Sequence, residues 1–145
     1  MSASPAIART GEQGQAFVET LIALPLLLLF LAAVFAFGRM MYVGLVVDQA
    51  AFAGGRFAAE SLNMQQAATQ AYQASAYNLT HAGLDPALMT WQLRATHWGR
   101  GVEVSNRVTT GVDLSDIPLA PLFFGPQVRL HQQATFRVER WKSRW

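Results

Sequence analysis

The stretch GQAFVETLIALPLLLLFLAAVFAFGR, Gly14 to Arg39, decides the fold. From Thr20 to Gly38 it carries no charged residue. As an α-helix that run is about 28 Å long, close to the roughly 30 Å of a bilayer's hydrocarbon core. The core helix of a soluble domain usually keeps a polar face, and none exists between Leu21 and Phe37. The run therefore reads as a membrane-spanning helix. Pro25 falls early enough to bend its first turns without ending it. Glu19 stands at its entrance, where a carboxylate still reaches water or headgroups and costs far less than at the bilayer centre.

Composition points the same way. The chain has 145 residues, 52% of them hydrophobic and 14% charged, against roughly 25% charged in an ordinary soluble domain. That length accommodates one small domain plus one further element, and part of the apolar surface must be covered by something other than the chain's own core. A formal net charge of +2, without clustered Lys and Arg, argues against nucleic acid as a partner. The absence of cysteine excludes a disulfide framework, a thiolate zinc site and a lipid-modified cysteine. Arg9 on one side of the span faces Arg39 and Arg56 on the other, so loop charge alone leaves the orientation open.

Past Gly38 the pattern becomes amphipathic with no loop between, which predicts that the helix continues into water. Val43, Val47, Ala50, Gly54 and Phe57 recur at spacings of three and four as one face, with Gln49, Arg56, Glu60 and Asn63 opposite. The pair Gly54-Gly55 weakens the helix by roughly 1 kcal/mol per glycine and marks a bend or a close packing contact. Helical composition resumes from Leu62 to Tyr77 and stops at the turn signal HAGLDP, His81 to Pro86.

From Met89 the period changes to two. Met89, Trp91, Leu93 and Ala95 alternate with polar residues. After the turn at Gly99-Arg100-Gly101, Val102, Val104, Val108 and Val112 keep one parity, as do Val128, Leu130, Ala134, Phe136 and Val138 in a third run. Three alternating strands imply an antiparallel sheet with one covered face, and the preceding helix is the obvious cover. The expected class is α+β, a helix layer on a small sheet. The apolar IPLAPLFFGP, Ile117 to Pro126, is broken by prolines, so it is either a loop tucked over the core or an exposed sticky patch.

Catalytic or metal-binding patterns are not evident. His81, His97 and His131, taken with Asp85 or Asp113, match no metal-ligand spacing, and no nucleophile elbow, zinc-protease, P-loop or dinucleotide motif occurs. The expectation is a non-enzymatic protein without metal or cofactor. Asn78-Leu79-Thr80 is a formal glycosylation triplet of the kind that arises by chance. The terminal RVERWKSRW mixes cations with Trp141 and Trp145 and reads as an edge strand fraying into a solvated tail.

The most specific feature is the opening itself. Gly14, Gln15, Ala16, Phe17, Val18 and Glu19 resemble a prepilin cleavage region of the type IV pilus system, with the glutamate fifth after the glycine. Together with the leucine-rich Leu24 to Leu29, the exit Phe37-Gly38-Arg39, the later LFFG stretch and the closing Arg137-Val138-Glu139, these residues are similar to TadE-like proteins of tight-adherence pili. The resemblance implies a pilin-like fold and a minor pilin or pilus-assembly role in pilus biogenesis, surface adhesion or biofilm formation. It also implies cleavage by a membrane-embedded prepilin peptidase after Gly14, leaving Gln15 as the new N-terminus. Glu19 is then the partner of the new amine, on its own or a neighbouring helix. The implied location is the bacterial inner membrane, N-terminus inside and folded domain outside, and the implied partners are the peptidase, other pilin subunits, pilus-assembly proteins and membrane lipid. In that scheme residues 1–14 are the leader, 15–38 the transmembrane helix, 39–80 an amphipathic helical extension and 86–145 the β-rich outer domain. The leader carries Arg9 offset by Glu12 where such leaders are often more basic, and Gln15 stands where many pilins have an aromatic residue. Two other readings are an uncut single-span anchor whose outer domain binds a partner or ligand, and a secreted protein cut near Ala36-Phe37-Gly38.

Overall fold

The computed structural model describes residues 10–138, with side chains from Gln15 onward. Residues 1–9, most of the stretch expected to be a leader, and the tail from Glu139 to Trp145 lie outside the described residues.

The first helix, α1, runs unbroken over Thr10–Glu60 with Pro25 inside it, so the span and the amphipathic extension are one element of about 77 Å. Its two halves differ in environment. Side chains from Gln15 to Leu31 are all exposed, whereas Val43, Val46, Val47, Ala50, Ala51, Ala58 and Ala59 are buried. Phe57, expected on the packed face, is instead exposed and Ala58 takes its place, because the buried stripe drifts round the helix as 3.6 residues per turn accumulate.

Asn63 does not continue that helix. Ser61 and Leu62 break it, and Asn63 caps α2, Met64–His81, accepting a hydrogen bond from Gln66 N at 2.8 Å while Gln66 Oε1 accepts from Leu62 N at 3.2 Å. These reciprocal bonds satisfy donors that a new helix start leaves open. At the other end Gly83 adopts φ 76°. Leu84 N donates to Leu79 O at 2.9 Å and Gly83 N to Thr80 O at 3.0 Å, a Schellman closure that needs the left-handed residue.

The sheet is antiparallel in the order β1-β2-β3, with β1 at Thr90–Ala95, β2 at Glu103–Asp113 and β3 at Gln127–Arg137. Trp91 pairs with Val108, and Val108 with Gln132. One sheet face packs on α1 and α2, placing Val104, Val108 and Val112 in the core. The other is polar and open, crossed by Arg107 to Gln133 at 2.7 Å and Arg137 to Glu103 at 3.2 Å. The result is the helix layer on a three-stranded sheet expected from the alternation of the sequence.

The close contact at Gly54-Gly55 is packing rather than a break. A Cβ on Gly54 would meet Ser75 Oγ, Asn106 Nδ2 and, at 2.9 Å, Ala71 O; one on Gly55 would meet the Phe136 ring at 2.6 Å. Here α1, α2 and β2 converge on a buried polar knot: Asn106 Nδ2 donates to Ala51 O at 2.9 Å, and Ser75 Oγ to Ala50 O at 3.0 Å.

Between β2 and β3 the proline-broken segment forms a short helix, α3, Ala120–Phe124, entered through Leu119 at φ 68°. A left-handed leucine is disfavoured by on the order of 1 kcal/mol, so this turn is held by its surroundings. Both sequence expectations meet in it. Ala120 is buried with Leu114 in the core cluster that includes Ala36, while Leu122, Phe123 and Phe124 are exposed.

Candidate processing and helix-packing site

The Gly14–Gln15 peptide bond lies within the helical stretch of α1. Proteases bind extended backbone, so cleavage here requires local unwinding. Two glycines, Gly11 and Gly14, weaken this turn by about 1 kcal/mol each relative to alanine. Gln15 and Glu19 are both exposed. Glu19 lies four residues on, hence on nearly the same face and about 6 Å along the axis, and helical side chains lean toward the N-terminus, which aims its carboxylate back at Gln15. Its surroundings are Thr20, Ala23, Leu24, Leu26 and Leu27. Thr20 Oγ1 is turned to Ala16 O at 2.9 Å, while Glu19 forms no hydrogen bond or ion pair among the described residues. A chain starting at Gln15 would add a positive amine to four unpaired N–H groups at the positive end of the helix dipole. A carboxylate one turn away is the group that such an end attracts.

A second feature of α1 escapes a reading that follows only its buried face. At about 100° per residue, Phe30, Val34, Phe37, Met41, Leu45 and Phe52 fall within about 40° of one line, and so does Glu19. All are exposed; above the span, Met41 is at 63%, Leu45 at 58% and Phe52 at 55%. Up to Leu45 the line lies opposite the buried Val43 and Val46; at its upper end Phe52 packs edge-on to Phe136 of β3, with ring centres 5.0 Å apart. Its signal in the sequence is a second apolar period, partly masked by Asp48 and overshadowed by the valines that enter the core.

At the upper end of the span Arg39 Nη1 contacts both carboxylate oxygens of Asp116 at 2.6 Å. Asp113 lies beside this pair. Hydrogen bonds from Ser115, backbone first, with Arg39's positive charge adding to them, hold its carboxyl below the usual 3.8 despite some desolvation. The histidines do not gather: among the described residues no three His, Cys, Asp or Glu side chains converge as a metal site would. His81 instead stacks on Tyr77 at 3.9 Å between ring centres.

The arrangement defines a protein with one long helix whose apolar N-terminal half is consistent with a membrane anchor and whose C-terminal half supports a small α+β domain. Residues 14–56 match the sequence family described as TadE-like protein. This match, over less than half of the chain, agrees with the resemblance carried by Gly14 to Arg39 and points to involvement in assembly of tight-adherence pili. No curated protein matches the chain, and no solved structure does.

Proposed function

We propose that this chain is a non-enzymatic minor pilin or pilus-assembly protein of a tight-adherence pilus, cut by a prepilin peptidase after Gly14, a single-pass protein of the bacterial inner membrane with its N-terminus on the cytoplasmic side and its folded domain outside. The observation that carries the proposal is the exposed apolar line on α1. It runs out of the span and continues past Arg39 to Phe52. A solitary anchor would leave much of Met41, Leu45 and the outer part of Phe52 in water, at a penalty of up to roughly 1.5 kcal/mol for each, since each is only partly exposed. Packing α1 against the helices of other pilus subunits covers them.

Glu19 on the same line has a matching role. When such helices leave the lipid and pack together, a buried carboxylate is tolerated only if paired. The amine of Gln15 on its own or an adjacent helix is the partner, and the pair fixes axial register as a lone polar residue does in a coiled coil. Contribution to adhesion or biofilm formation follows from a place in such a pilus.

The test is the N-terminus of the protein made in its own host. A mature chain beginning at Gln15 supports the proposal; one beginning at Met1 or Ser2 favours an uncut anchor, and one at Arg39 a secreted protein. Gly14→Ala should preserve the full mass and abolish pilus assembly; unchanged mass and unchanged pili relative to the parent would sink the reading.

A further inference from the structure

The segment Ile117 to Pro126 stands at the wrong height for a loop of a water-exposed domain. Phe123, Phe124, Leu119 and Ala120 line one groove with Leu29, Ala32 and Ala33 of α1. Those α1 residues precede Arg39 by about 9–15 Å along the helix axis, which places the groove inside the charge-free run and within the roughly 15 Å depth of one leaflet's hydrocarbon. At its outer edge Asp116 is bound to Arg39, so the segment's polar end stays at the level where the span meets water. The inner end is apolar and outward-facing, with Leu122 exposed at 77% and Phe123 at 63%.

Most of the backbone of this segment also suits an apolar medium, where an unsatisfied N–H is heavily penalised, Leu119 N being the exception that must reach the headgroup level. Pro118, Pro121 and Pro126 have no N–H to satisfy. Ile117 N donates to Leu114 O, Ala120 N to Ile117 O, Leu122 N to Leu119 O and Gly125 N to Pro121 O, at 3.1–3.2 Å. The prolines that rule out a strand thus remove donors that lipid could not satisfy.

We propose that Leu119 to Phe124 is a second membrane-contacting element, a lip that enters the leaflet adjoining the folded domain and packs on acyl chains beside α1. Lipid is the occupant because the lip is continuous with the lipid-exposed surface of the span, lies at hydrocarbon depth and docks on Leu29, Ala32 and Ala33, which at about 100° per residue lie on another side of α1 from the line assigned to other subunits. With the helix and the lip both seated in the leaflet, the domain is anchored at two points, which sets its tilt and rotation on the membrane. The inference rests on the span being a bilayer segment.

The chain has no native cysteine, so single nitroxide labels can be placed on the full-length protein in phosphatidylethanolamine/phosphatidylglycerol vesicles through Phe123→Cys and, as a second lip site, Leu122→Cys. Leu28→Cys marks the span and Arg94→Cys the outer sheet. Collision with oxygen relative to a water-soluble nickel chelate is expected to be several-fold higher at Phe123, Leu122 and Leu28 than at Arg94. Lip labels that behave as Arg94 while Leu28 stays protected from the chelate overturn the lip and leave the span intact. A chelate-accessible Leu28 overturns the span, and the lip with it. Lip labels shielded from both reagents, with spin–spin broadening that fades as protein is diluted in lipid, assign the surface to a second copy and likewise overturn the proposal.

Discussion

At Gly54 α1 packs directly on the α2 backbone and on Asn106 of β2, and its missing side chain is what lets Asn106 and Ser75 reach the α1 carbonyls at Ala51 and Ala50. Gly54→Ala drives a methyl into the Ala71 carbonyl and both polar side chains. It is expected to lower stability by about 2–4 kcal/mol, combining overpacking with a lost buried hydrogen bond, read as a fall in the unfolding midpoint of the full chain in detergent. Gly55→Ala collides with the Phe136 ring and reaches the Ala134 carbonyl only at ordinary contact distance; the ring, edge-on to Phe52 at 5.0 Å, can yield, so the expected loss is nearer 1 kcal/mol. Combined with Asn106→Ala, Gly54→Ala should cost less than alone, because one colliding group is gone; strict additivity would contradict the shared contact. Asn106 was the residue least legible beforehand. It sits in the parity of Val104 and Val108, and nothing local to β2 signals that the Ala51 carbonyl of α1 and the Ser75 hydroxyl of α2 wait above it.

At the scale of elements, α1 and the strands were legible because each carries a single strong period over many residues. The break at Ser61-Leu62 was not, since Asn63 fits a polar helix face as readily as a cap until Gln66 is seen reaching back to Leu62 N. The candidate processing site was legible as a motif, whereas the line from Phe30 to Phe52 was hidden by a second apolar face on the same helix. That line makes a prediction of its own. Met41 and Leu45 contribute nothing to the core, so Met41→Gln with Leu45→Gln should leave thermal unfolding and cleavage unchanged while preventing assembly into pili, measured by electron microscopy and by the subunit's recovery in sheared filaments. Unaltered incorporation would remove the packing role from α1. The turn after β2 carries the pH dependence. Asp113 has a folded-state pKa below the ordinary 3.8, so its stabilising contribution is fully present above that ordinary value and is lost as pH falls through the lower, folded-state one. Asp113→Asn is expected to lower stability modestly at neutral pH, where the charged form contributes, and to flatten the acid limb below about pH 4, so that the two proteins converge as pH falls.

For the molecule as a whole, the decisive question is whether Glu19 works alone or only with a free Gln15 amine, and a double-mutant comparison separates the two. Glu19→Gln keeps the size and polarity of the side chain and removes its charge, so membrane insertion and the fold far along α1 should be untouched. If the carboxylate pairs with the amine inside packed helices, losing that charged bond costs about 1.5–3 kcal/mol, or roughly a 10- to 150-fold weaker subunit association. In a Gly14→Ala chain the amine never forms. There Glu19→Gln should produce little further loss, and removing an unpaired carboxylate should even ease helix packing. Equal effects in cut and uncut chains would mean that Glu19 acts at the membrane edge or toward the peptidase instead. The measurement is co-purification of tagged and untagged copies from the same membranes, scored for all four combinations. Dependence of the Glu19 effect on the cut is the outcome that ties the charge at the entrance of the span to assembly outside it.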